Sequence, residues 1–84
     1  MMMNEKDFIK LLDKATYFAA FNMLSPELEF GFEECMKNIK LELKNNGDNY
    51  SNEIQEWALK LLLRESIDNY ISKSISNVLA NISN

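Results

Sequence analysis

The chain contains no histidine, one cysteine, one proline and two glycines in 84 residues. Each scarcity closes off a class of chemistry. Without histidine the commonest general acid–base group is missing, and a structural zinc site has neither imidazole nor enough thiols to form. Cys35 has no second cysteine to pair with inside the chain, so an internal disulfide is impossible. With only Gly31 and Gly47, no glycine-rich phosphate loop can be built. Arg64 is the only arginine, and acids outnumber bases by 13 to 9, for a formal net charge of −4. That balance argues against a phosphate backbone or an anionic lipid surface as the partner. No run approaches the roughly 20 apolar residues that a membrane span requires. The opening Met1-Met2-Met3-Asn4-Glu5-Lys6-Asp7 lacks the basic and apolar regions of a signal peptide, and the expectation is a cytoplasmic protein.

What is present is helical. Hydrophobic residues make up 46 % of the chain and charged residues 26 %, the balance of a folded domain. Asn4 begins a first helix, with Asp7 three positions later in capping-box spacing. Phe8, Leu12, Ala15 and Ala19 recur at 4-, 3- and 4-residue spacing as one apolar stripe, flanked by Leu11 and Phe18. A stop is expected near Leu24. Ser25 then caps a second helix, Pro26 fits its first position, and Glu27 and Glu29 meet the positive end of the dipole. Leu28, Phe32, Cys35, Met36, Ile39 and Leu43 form its stripe, and its lysines (Lys37, Lys40, Lys44) come late, as the dipole favours. Residues 39–44 also alternate like a strand, but nothing in the chain offers a strand partner, so helix is the better reading. Gly47, in Asn45-Asn46-Gly47-Asp48-Asn49, is expected to take the left-handed conformation that ends a helix.

Ser51 opens the third helical region, with Ile54, Trp57, Ala58, Leu61 and Leu62 on its stripe. A further stripe, Ile67, Ile71, Ile75, Val78 and Ile82, is rotated by roughly 100° from it. Either the chain breaks near Ser66, or one long helix changes neighbours along its length. The absence of Gly and Pro between Ser51 and Asn84 favours the continuous helix. The expected fold is all-α: one domain over residues 1–84, a small three- or four-helix bundle with a long C-terminal helical region, completed by oligomerisation. A domain this small buries only about 60–65 % of its unfolded surface. With disulfides and zinc excluded, association is the remaining source of stability.

No residue qualifies as catalytic, cofactor-binding or metal-ligating. Cys35 sits on the apolar stripe, where a thiol is structural rather than reactive. Neighbouring acids such as Glu33 and Glu34 point in different directions, so they form no catalytic pair. Asp48 lacks the alternating acids of a calcium loop. The unusual feature is apolar residues off the stripes: Tyr17, Ala20 and Phe21 in the first helix, Phe30 and Leu41 in the second, Leu63 in the third. A helix apolar on both sides is usually buried on both sides: either one helix is central in the bundle, or, since three or four short helices cannot bury so many faces among themselves, the excess marks a protein–protein surface. The expected partner-binding residues are therefore the anchors Tyr17, Phe21, Phe30 and Leu41, the acidic rim Glu27, Glu29, Glu33 and Glu34, and Ile71, Ile75 and Val78 of the C-terminal stripe. The expected partner is protein, a second copy of the chain or a host protein.

These readings point to a non-enzymatic protein-binding protein, a homodimeric inhibitor or adaptor. The Asn-, Lys- and Ile-rich composition suggests a low-GC bacterium, its phage or a mobile element, where such proteins block host defence effectors, CRISPR complexes among them. A small helical DNA-binding regulator is the alternative, with Leu24-Ser25-Pro26 as the turn between two helices. Against it, the following helix opens with acids where phosphate and base edges would have to be met. Mimicry of nucleic acid by the acidic face needs more charge than −4.

Overall fold

The computed structural model describes residues 3–21 and 25–83, the side chains of 72 and 83 aside. Among these residues there are three α-helices and no strand: α1 (Glu5–Phe21), α2 (Pro26–Asn46) and α3 (Asn52–Ser83), with a 3-10 turn, Gly47–Asn49, before α3. The capping signals act as read. The Asn4 side chain accepts the Asp7 amide at 2.8 Å, and Ser25, with extended backbone, accepts the Leu28 amide through its Oγ. Ser51 Oγ accepts the Ile54 amide at 3.4 Å. α1 ends at Phe21; the expected stop near Leu24 lies outside the described residues. Residues 39–44 are helical.

The reading of Gly47 is corrected. Its backbone is right-handed, φ −57° and ψ −36°, and its N–H bonds back to the Leu43 carbonyl. No described residue has a positive φ. The direction change falls instead at Asn46, φ −145° and ψ 9°, whose side chain is held by neighbours described below, so no left-handed glycine is needed.

α1 and α2 form an antiparallel hairpin, and the stripes of all three helices meet in one core. Phe8, Leu12, Ala15 and Ala19 of α1, Phe32, Cys35, Met36 and Ile39 of α2, and Ile54, Ala58 and Leu61 of α3 are buried together with Tyr50. α1 and α2 approach closely because position 31 is glycine: a Cβ there would stand 2.8 Å from the Phe18 ring.

α3 is one unbroken helix. Ser66, a candidate cap for a fourth helix, instead donates its hydroxyl to the Leu62 carbonyl within the same helix. At 1.5 Å per residue its 32 residues extend about 48 Å, against a long molecular dimension of 51 Å and two short ones of 21 Å. No described helix is long and apolar enough to cross a membrane.

Candidate protein-binding surface

α3 changes character at Glu65. The positions facing the hairpin, 54, 58, 61, 65 and 68, are Ile, Ala, Leu, Glu and Asp: the stripe turns polar in mid-helix. Three polar contacts mark the end of the packed interface. Lys40 Nζ meets Glu65 Oε1 at 2.6 Å, Arg64 donates to the Ala19 carbonyl near the end of α1 at 2.8 Å, and Arg64 Nε lies 3.9 Å from Asp68. Beyond Glu65 no described side chain of α3 is buried. Ile67, Tyr70, Ile71, Ile75, Val78 and Ile82 are all exposed, Ile75 by 54 %. The rotated stripe therefore has a physical account: once the hairpin-facing positions become acidic, the apolar residues shift to a side that no part of the described chain covers.

The other expected partner-binding residues are also exposed, but on separate faces. On α1, the Tyr17 and Phe21 rings stack obliquely, 5.2 Å apart, and Tyr17 meets the edge of Phe18 at 5.8 Å. On the outer side of α2 lie Phe30, 67 % exposed, and Leu41, 58 % exposed. Leu41 shares an open hollow of about 340 Å³ with Lys37, Lys40 and Lys44. Glu27, Glu29, Glu33 and Glu34 are exposed along the first half of α2. The expected partner-binding residues are thus exposed but lie in three patches rather than one, and Leu59 and Leu63 of α3, outside that set, are exposed as well.

A buried polar cluster at the opposite end of the molecule was missed. The Glu42 carboxylate is buried and accepts from the Tyr50 hydroxyl at 2.6 Å, from Asn46 Nδ2 at 3.1 Å and from the Met3 amide at 3.1 Å. Asn46 Nδ2 also reaches the Met3 carbonyl, Asn49 donates to the Asn46 side-chain carbonyl, and the Tyr50 ring lies flat on Phe8, 4.4 Å between centroids. Burial alone would raise the Glu42 pKa, but the hydrogen bonds from Tyr50, Asn46 and the Met3 amide outweigh it and hold the carboxyl below its ordinary 4.5. Burial, then the hydrogen bond to Glu42, push Tyr50 up from 10.0 to about 12. The signal was the i, i+4, i+8 spacing of Glu42, Asn46 and Tyr50, which puts three polar groups on a side that the surrounding stripe makes apolar. No buried polar side-chain atom is left without a partner among the described residues, so the cluster is closed. It ties the start of the chain to the α2–α3 junction, which is a structural task.

Cys35 is a buried free thiol. Burial raises its pKa; the charge of Lys14 lowers it and that of Glu34 raises it, with a net upward shift. A thiol held protonated in a core has little nucleophilic character. No group of three or more acidic or thiol side chains among the described residues is arranged to hold a metal ion.

No protein-family model, curated protein or solved structure matches this chain.

Proposed function

We propose that this chain is a non-enzymatic protein-binding protein, an inhibitor or adaptor, and that the half of α3 beyond Glu65 is its principal binding element. One observation carries the reading: eighteen residues of continuous helix bear a regular apolar stripe that nothing in the described chain covers. Ile71, Ile75, Val78 and Ile82 recur at 4-, 3- and 4-residue spacing, the pattern by which an amphipathic helix enters an apolar groove or pairs with another helix. The stretch is rich in Ile, Ser and Asn, which are middling helix formers, and a free helix of this length is marginal in water. A partner surface supplies the burial that stabilises it. Asp68 and Lys73 are its only charged side chains, so the partner is selected by shape and apolar fit rather than by charge. The exposed Tyr17–Phe21 pair offers a second, smaller contact.

The experiment is co-purification from the source host with quantitative mass spectrometry, comparing the natural chain with Ile71→Asp/Ile75→Asp. The expected result is a protein enriched by the natural chain, depleted at least about tenfold by the double variant, and bound directly once purified. Identical captured sets would show that α3 is not the binding element. Specific retention of duplex DNA in a low-salt gel shift would favour the regulator reading instead.

A further inference from the structure

The outer face of α2 carries a pattern of its own. Residues 27, 30, 34, 37, 41 and 44 recur at 3- and 4-residue spacing and share one seam. In order they are Glu27, Phe30, Glu34, Lys37, Leu41 and Lys44, and all six are exposed. The seam reads acid, apolar, acid, base, apolar, base. Reversed end for end with the charges exchanged, it reads the same.

We propose that a second copy of this chain docks along this seam, antiparallel, about a twofold axis passing between Glu34 and Lys37. Such an interface is isologous, with every contact made twice. In this register Glu27 of one copy faces Lys44 of the other, Phe30 faces Leu41, and Glu34 faces Lys37. Every charged layer is complementary and the two exposed apolar residues cover each other.

The alternatives are disfavoured by the same residues. A parallel pair sets Glu27, Glu34, Lys37 and Lys44 each against its own copy, four like-charge layers, and like charges in apposition exclude wrong arrangements. Sliding the antiparallel copy by one heptad sets Phe30 against Glu34 and leaves Lys44 without an acid. The charges are also uncommitted: the ion pairs among the described residues are Lys40–Glu65, Lys60–Glu56 and Arg64–Asp68, none of which uses Glu27, Glu34, Lys37 or Lys44. The seam runs about 26 Å along α2. The inference extends the protein-binding reading to a second face and does not depend on α3.

With two kinds of charged layer and one apolar contact, each made twice, the association is specific and salt-sensitive. Exposed ion pairs are individually weak, and the Debye length falls from about 10 Å at 0.1 M to about 3 Å at 1 M salt. The dissociation constant should therefore rise by about tenfold or more over that range.

The test is a charge swap followed by sedimentation equilibrium at 0.05 M salt. Glu34→Lys alone and Lys37→Glu alone each place like charges in both central layers, and each should lose the twofold association. A 1:1 mixture of the two single variants restores opposite charges in those layers, as does the double variant E34K/K37E, and both should recover it. Both positions are exposed, so helical circular dichroism should be unchanged; the mixture and the double variant separate a lost interface from a lost fold. Single variants that associate like the natural chain, or a mixture that fails to associate, would overturn the proposal. The same series is run in the Ile71→Asp/Ile75→Asp background. Association that persists there and still follows the charge swap belongs to α2. Association abolished there with α2 unchanged belongs to α3, in which case this proposal fails while the protein-binding reading stands.

Discussion

The two halves of α3 share one helix and one backbone hydrogen-bond ladder, yet only the first is packed. From Asn52 to Glu65 it places Ile54, Ala58 and Leu61 against α1 and α2; from Ser66 onward none of its described side chains is buried. Local sequence decides that the helix continues, because neither Gly nor Pro interrupts it. Which side is apolar, and whether anything covers it, is a separate matter decided by phase and by neighbours. Helix formation and burial are distinct properties, and here they part at Glu65.

The sharpest way to break the contrast is to damage the packed half. Leu61→Ala removes a buried side chain between the helices and should cost about 2–5 kcal/mol. That is a large fraction of the roughly 4–12 kcal/mol expected of a domain this size, and a urea titration followed by circular dichroism would read it. Loss under about 1 kcal/mol would mean that α3 is not held on the hairpin as described.

A smaller effect comes from the polar cluster beneath that half. Tyr50→Phe deletes one of three donors to a buried carboxylate and should cost about 1.5–3 kcal/mol near neutral pH. Its pH dependence is the signature. The Glu42 pKa is lowered in the folded state, so its stabilisation is present above the ordinary 4.5 and is lost as pH falls through the depressed folded value. The gap between natural chain and variant should therefore narrow in acid. Tyr50 is raised from 10.0 to about 12, so its contribution holds below pH 10 and is lost as pH rises towards 12, a loss the phenylalanine variant should not show. Denaturation midpoints at pH 3, 7 and 11 for the two proteins check both arms.

The least effect belongs to the uncovered half. Ile75→Ser should change the stability of the unpartnered chain by no more than about 0.5 kcal/mol, the range of surface substitutions, while weakening partner capture. A loss above about 1.5 kcal/mol in a chain shown to be monomeric would place Ile75 in a packed contact.

Much of this division was legible in the sequence. The stripe of α1 predicted its four buried residues, Ser25-Pro26 marked the start of α2, and the phase change after Leu62 flagged the second half of α3. The residues set aside as off-stripe, Tyr17, Phe21, Phe30 and Leu41, are all exposed. What sequence periodicity misses is pairing across distance. The spacing of Glu42, Asn46 and Tyr50 hints at the buried side, but their partner Met3, 39 positions away from Glu42, lies outside any local pattern. Gly47 misled because a glycine after a helix usually turns left-handed, whereas here side-chain hydrogen bonds at Asn46 and Tyr50 hold the exit.

The lone tryptophan sits on the packed side of that boundary. Trp57 is half-buried, and its indole N–H donates to Thr16 Oγ1 of α1 at 3.1 Å, while Thr16 itself donates to the Leu12 carbonyl. Its emission is thus a native optical gauge of one event, the seating of α3 on the hairpin. About fifteen to twenty ångströms of helix separate Trp57 from the Ile67–Ile71 turn, so the same signal is insensitive to what happens at the far end. Intrinsic fluorescence and far-ultraviolet dichroism, followed together on heating, can time the melting of the distal helix separately from the release of the core without a single added label.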